Sequence, residues 1–194
     1  IGCGTGNLLA RLRPSYGVGV DLSGRMVETA RNKYPDLDFV EGDAEADDFI
    51  LGLEGSFDYI VLSDTIGYLD DIERVLRLLN KICEPHTRLI VAYYSHLWEP
   101  VLGMAEWFDQ KMPQPDVNFL SSSDITNLLY LAGFEVVRTD WRQLIPRRLL
   151  GLGTAINRFM GTLPVIRRLC LRHYIVARPF ERRSNWQPSV SVLV

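Results

Sequence analysis

Short β-rich runs alternate with helical patterns along these 194 residues, and that alternation predicts an α/β fold on a mainly parallel sheet. Two further observations agree. The chain opens on a glycine-rich turn, and acids stand at or just past the first two strand-like runs, the place where open α/β sheets bind ligands.

The strand-like segments are Tyr16–Asp21, Leu37–Glu41, Phe57–Ser63, Arg88–Tyr94 and Phe134–Thr139, with His173–Arg178 as a late edge strand. Helices fall between them. Ser23 is placed to cap a helix buried through Met26, Val27 and Ala30. Over 70–83 the apolar residues Ile72, Val75, Leu76, Leu79, Ile82 and Cys83 share one face. Asp70 and Asp71 stand at the start of that helix, where its dipole favours negative charge. Ser121–Ser123 are placed to cap a helix carrying Ile125, Leu128, Leu129 and Ala132, and Gly133 stops it. Residues 95–120 hold Trp98, Trp107 and Phe108 and then Pro113 and Pro115. A connection of that length in such a fold is a candidate substrate-contact segment.

Composition is that of a globular domain, 47% hydrophobic and 23% charged, without an apolar run long enough to span a membrane as a helix. Three cysteines and three scattered histidines suggest neither a disulfide framework nor a zinc site, so a reducing cytoplasm is the expected location. The net charge of −3 hides an asymmetry: residues 1–140 carry 11 Lys+Arg against 23 Asp+Glu, whereas residues 141–194 carry 10 Arg against one acid, Glu181. That split points to an anionic partner for the later part of the chain.

The chemistry gathers near the start. IGCGTGNLL places Gly2, Gly4 and Gly6 in a G-x-G-x-G loop ahead of a helix, where the backbone can turn tightly and approach a ligand. A dinucleotide fingerprint would carry its third glycine at position 7, which is Asn7, so the spacing argues against a nicotinamide-dependent oxidoreductase. Asp21, 15 residues past Gly6, ends the next strand and can accept from two ribose hydroxyls. Gly42–Asp43–Ala44 follows the next strand, offering a carboxylate and a backbone N–H to an adenine edge. FDYIVLSDTIGYL then runs from a buried strand into a loop at Ser63–Tyr68, again at the carboxyl end of the sheet.

Taken in order, these motifs resemble class I S-adenosylmethionine-dependent methyltransferases (type 11/12-like) over residues 1 to about 140, with the last strand near 173–178; DLSGRMVETAR after the first acid is also typical. The resemblance implies a Rossmann-like sandwich with a mainly parallel seven-stranded sheet and an antiparallel last strand. It implies S-adenosylmethionine as the cofactor. Gly2, Gly4 and Gly6 would wrap its methionine part, Asp21 would hold the ribose, Leu22 and Met26 would flank the adenine, Asp43 and Ala44 would fix the adenine edge, and Ser63 would lie by the amino-acid end. It also implies a first strand and an acid directly before Ile1, so the natural polypeptide is expected to begin upstream. The chain departs from the family at Pro85–His86–Thr87, where Pro-Gly-Gly is usual, and at Tyr68, where a histidine is common. Candidates for a catalytic base are His96, Asp64, Tyr68 and Glu99, although methyl transfer by alignment alone needs none. No metal and no nucleic acid are expected.

Residues 141–172 hold seven Arg among many Leu and Ile and no acid. This basic amphipathic insert is either a peripheral contact with anionic lipid or a solvated face. The methyltransferase domain is expected over 1–180. Residues 181–194 read as a polar linker and the strand-like SVSVLV, which resembles the opening strand of a family-2 glycosyltransferase domain. Bacterial methyltransferases similar to this chain occur beside or fused to such enzymes, so the expected acceptor is an undetermined small molecule or a glycan or lipid-linked saccharide. The rival to an enzyme is a docking or membrane-binding domain of the glycosyltransferase that keeps the fold.

Overall fold

The computed structural model describes residues 1–53, 55–95, 120–142 and 170–180. In chain order these form α1 (Asn7–Leu12), β1 (Val18–Asp21), α2 (Gly24–Lys33), β2 (Asp38–Glu41), α3 (Asp47–Leu51) and β3 (Tyr59–Ser63). A 3-10 turn at Ile66–Tyr68 leads to α4 (Ile72–Ile82), β4 (Arg88–Tyr94), α5 (Ser122–Leu131), β5 (Phe134–Arg142) and β6 (Arg172–Pro179). Every expected strand is present, and β4 has the expected bounds. The expected insert over 141–172 and the expected tail over 181–194 lie almost wholly outside the described residues.

The sheet has two parts. β1 and β2 pair in parallel. The larger part runs β3-β4-β6-β5, with β3 parallel to β4 and β6 antiparallel to both its neighbours. The expected single reversed strand is therefore β6. Residues 1–3 run between the two parts. The Ile1 amino group donates to the Val61 carbonyl at 2.7 Å, and the Cys3 N–H donates to the Val20 carbonyl at 2.9 Å. β5 extends past the expected Thr139 to Arg142 because β6 pairs with it throughout, across an irregularity between Val136 and Arg138.

Apolar burial gives the larger part its core. Ile60 and Leu62 of β3, Leu89 and Val91 of β4, and Ile175 and Ala177 of β6 are buried with Val75, Leu76, Leu78 and Leu79 of α4 and with Ile125 and Leu129 of α5. Each such Val, Leu or Ile side chain contributes ~1.5–3 kcal/mol on burial. The cluster beside β1 and β2 is small: Val27, Ala30 and Phe39. Met26 was expected in it, but α2 turns Met26 outward and leaves it 43% exposed. Phe39 fills the space a side chain would need at Gly6 and Gly19: a Cβ at either position would meet its ring at 2.6 Å. Arg31 of α2 donates from Nε and Nη2 to the Phe39 carbonyl.

Of the two expected serine caps one forms, at Ser121, and one of the acids expected at the start of α4, Asp71, supplies the cap of that helix. The Asp71 side chain accepts from the Arg74 N–H at 3.0 Å. Ser121 and Asp124 form a reciprocal capping box, and Gly133 takes a left-handed φ of 87° just past α5. Ser23 stands at the cap position of α2, but its side chain makes no capping bond. At the departure from Pro-Gly-Gly, Thr87 is fully buried; its Oγ1 donates to the Phe57 carbonyl and accepts from the Glu84 N–H, which tightens the turn into β4.

Candidate functional site

The carboxyl ends of β1, β2 and β3 surround a pocket of about 300 Å³. Its walls include Gly2, Asp21, Leu22, Asp43, Ala44 and Ser63, six of the nine residues expected to hold a cofactor. Asp64 and Tyr68, two of the expected base candidates, line it as well. A larger and more open hollow of about 710 Å³ lies beside Phe39 and Phe49 and collects none of these residues.

The glycine loop is shaped for close approach at one point and for packing at the others. All three glycines have left-handed φ: 68° at Gly2, 52° at Gly4 and 76° at Gly6. A Cβ at Gly4 would meet nothing within 4 Å, so there the backbone faces open space that a ligand can fill. A Cβ at Gly2 would overlap Thr65 Oγ1, and one at Gly6 would strike Phe39. Gly6 is buried and serves the packing of the loop on β2.

Asp21 organises this end of the site. One carboxylate oxygen accepts from the Gly4 N–H at 2.7 Å and the other from the Ser23 N–H at 3.0 Å. The same group thus fixes the glycine loop and the entry to α2, and each oxygen keeps a lone pair for a ligand hydroxyl. Asp43 is exposed and makes a turn with the Glu45 N–H at 2.8 Å, while Ala44 is buried. Leu22 is 72% exposed, an apolar side chain on the pocket rim. Met26 and Gly4 do not line the pocket.

The opposite wall follows β3. Thr65 Oγ1 lies 3.1 Å from the Ile1 carbonyl and 3.2 Å from the Ser63 carbonyl, which ties this loop to the glycine turn. Asp64 takes a left-handed φ of 59°, rare outside glycine. Its Oδ2 accepts from Arg172 Nη2 at 2.7 Å, whereas its buried Oδ1 has no hydrogen-bond partner. Burial pushes the Asp64 carboxyl above the ordinary carboxylate range, and Arg172 pulls against that shift. Glu45 accepts from the Asp70 and Asp71 N–H groups and so joins the pocket wall to the start of α4. Tyr68 is 42% exposed on the 3-10 turn. His96, Glu99, Trp98, Trp107 and Phe108 lie outside the described residues. Thr65, Glu45 and Arg172 escaped the sequence reading. Thr65 lies in the loop Ser63–Tyr68 but nothing in the pattern sets it apart from its neighbours, Glu45 follows the Gly42–Asp43–Ala44 motif without belonging to it, and Arg172 acts across 108 residues of chain.

Comparison with known proteins adds to this geometry. A family model described as a methyltransferase domain matches residues 1–139. Demethylmenaquinone methyltransferase of Renibacterium salmoninarum is 28% identical over 120 residues, covering 59% of this chain and 47% of that protein. The chain thus spans about half the length of that relative. The enzyme of the same name from Thermotoga maritima is 27% identical over 157 residues, covering 69% of this chain and 67% of its own. Among solved structures, an S-adenosylmethionine-dependent methyltransferase from Mesorhizobium loti superposes with a TM-score of 0.66 at 17% identity, over 91% of this chain and 88% of that one.

Proposed function

The chain belongs to the methyltransferase-domain family, and on that premise we propose that the 300 Å³ pocket holds S-adenosylmethionine for methyl transfer to a small-molecule acceptor. The observation that carries this reading is convergence. Residues from three strand ends, far apart in sequence, meet around one pocket beside a loop whose Gly4 opens onto free space. The spacing of that loop and the family match both weigh against the nicotinamide alternative.

In this reading Gly4 lets the backbone lie against the cofactor. The Asp21 carboxylate accepts the ribose hydroxyls while it keeps the glycine loop in place. Asp43 and the Ala44 N–H meet the adenine edge, Leu22 covers its face, and Ser63 faces the amino-acid end. Gly2 lines the pocket and fits the turn against Thr65, whereas Gly6 and Met26 act indirectly, Gly6 by packing the loop on Phe39 and Met26 from the exposed side of α2. The bound cofactor supplies an activated methyl group. The chain's own part is orientation and exclusion of water, which together account for much of the acceleration in such transfers. Asp64 and Tyr68 are the acid/base candidates on the described wall.

The acceptor is the finer part of the proposal. The two relatives' names favour a demethylmenaquinone-like acceptor, and the basic insert with the tail reading favours a glycan or lipid-linked saccharide. No helix among the described residues is long and apolar enough to cross a membrane. The cytoplasmic and membrane-peripheral location and the glycosyltransferase link stay proposals resting on the sequence. The test is calorimetry with S-adenosylmethionine, S-adenosylhomocysteine and NAD, followed by turnover with both acceptor classes. Binding of the first two and not of NAD is the expected result. Binding of NAD alone overturns the reading, and cofactor binding without turnover on any acceptor favours the docking-domain alternative.

A further inference from the structure

The pocket wall at Asp64 is held by a strand that the family match does not reach. The match ends at residue 139, and β6 begins at Arg172. Antiparallel pairing sets Arg172 opposite Tyr94, the last residue of β4. Parallel pairing sets Ser63, the last residue of β3, opposite Ala92. The amino end of β6 thus stands at the same edge of the sheet as the carboxyl ends of β3 and β4, and it brings a guanidinium there.

The contacts converge on one turn. Arg172 Nη2 donates to Asp64 Oδ2 at 2.7 Å and to the Tyr94 hydroxyl at 2.8 Å, and the guanidinium carbon lies 5.0 Å from the Tyr94 ring centre. The Asp64 N–H is still in the ladder, donating to the Ala92 carbonyl at 2.8 Å, so the chain leaves the sheet at this residue. It leaves through a left-handed φ, uncommon outside glycine, that a short polar side chain such as Asp adopts more readily than most. Thr65 follows directly. Its side chain contacts the Ile1 carbonyl and occupies the volume that the missing Cβ of Gly2 leaves open. Asp64 lines the pocket, whereas Arg172 and Tyr94 stand behind it. Burial works against the charge on Arg172, but the Tyr94 hydroxyl and the Asp64 carboxylate outweigh it and hold the guanidinium firmly cationic.

We infer that Arg172 is a positioning residue of the cofactor pocket, acting through Asp64 to fix the Ser63–Thr65 turn and, through Thr65, the glycine loop. It fixes the turn by clamping one carboxylate oxygen of the residue at which the chain turns out of the sheet, with Tyr94 steering the guanidinium. The inference rests on the pocket being the cofactor site. It adds that the last strand, not only the matched region, determines affinity there.

The test is titration calorimetry of the full chain with S-adenosylmethionine, for the wild type, Arg172→Met, Arg172→Lys, Asp64→Gly and the Arg172→Met/Asp64→Gly double variant, with denaturant melts of each. Arg172→Met should weaken binding ~10-fold, the scale of one lost charge-assisted hydrogen bond. Arg172→Lys, which restores a cation but not the fork, should recover most of that loss. In the Asp64→Gly background glycine meets the left-handed φ and the carboxylate is gone, so Arg172→Met should add less than about twofold, the non-additivity of residues acting as one unit. Wild-type affinity in Arg172→Met, no recovery with Lys, or losses that simply add would each overturn the inference. If Arg172→Met melts too early to titrate, the Lys and Asp64→Gly arms decide: Lys must bind nearly as the wild type does, and Asp64→Gly must bind more weakly. A wild-type chain that fails to bind S-adenosylmethionine overturns the cofactor reading itself and this inference with it. Wild-type binding with Arg172→Met unchanged overturns this inference alone.

Discussion

The two sides of the pocket are built by different means. On the β3–β6 side the site stands on a continuous apolar core, and its turn is set by strands packed on α4 and α5. On the β1–β2 side the cluster is Val27, Ala30 and Phe39, and the local order comes from hydrogen bonds. Asp21 ties Gly4 to Ser23, and the side chains of Lys33 and Tyr34 both donate to the side-chain oxygen Oδ1 of Asn7 at 2.6 and 2.9 Å. Apolar burial is shared by the whole core, so a large core side chain removed at one position costs the stability of the fold. A few polar contacts can be removed singly and leave the rest of the sheet in place. Substitutions in the apolar core of the first side should therefore read out as stability, whereas substitutions of the polar groups that hold the pocket, Asp21 above all, should read out as affinity.

The largest effect expected is at Phe134, the biggest fully buried side chain of the larger core among the described residues. Phe134→Ala should cost ~3–5 kcal/mol of stability, enough to threaten a domain of ordinary stability. A denaturant midpoint close to that of the wild type would break the contrast at its stronger side. Next is Asp21→Ala, which should weaken S-adenosylmethionine binding by about 2 kcal/mol, since it removes charge-assisted bonds to the loop and to the ligand together. Its melt should move far less than that of Phe134→Ala. A large loss of stability with unchanged calorimetric affinity would reverse the assignment of the two sides. The smallest is Ser121→Ala, which deletes the α5 cap at ~1 kcal/mol of stability and should leave cofactor affinity as it was. Weaker binding in that variant would mean that the two sides are coupled more tightly than their contacts suggest.

The same division explains what could be read from the chain. β4 was legible to the residue because RLIVAYY is apolar and bounded by a turn, and its burial needs no distant partner to be inferred. β1 and β3 begin two residues later than expected: Tyr16 and Phe57 stack on each other outside the sheet, their rings 6.4 Å apart, so their β-like character serves a side contact. The end of β5 was not legible, because Asp140 and Trp141 join the sheet only through pairing with Tyr174 and His173. In the site, Asp21, Asp43, Ala44 and Ser63 could be found because strand ends carry position information in the local pattern. Met26 sits next to Val27 on α2, and a helical pattern that groups them cannot tell which one the sheet covers. Arg172 lies in a run of arginines, and only the antiparallel register singles it out.

Arg31 has a consequence for how many copies of this chain can share a solution. Among the described residues β2 is the outer strand of its pair, and Phe39 turns its carbonyl away from β1, toward the free edge. A strand from another molecule that added to this edge would need that carbonyl as an acceptor. The guanidinium already holds it with two N–H groups, so an incoming strand must first displace a charged donor. Edge-to-edge stacking, a common route from an open sheet to aggregation, is thereby opposed at this position by one side chain of the covering helix.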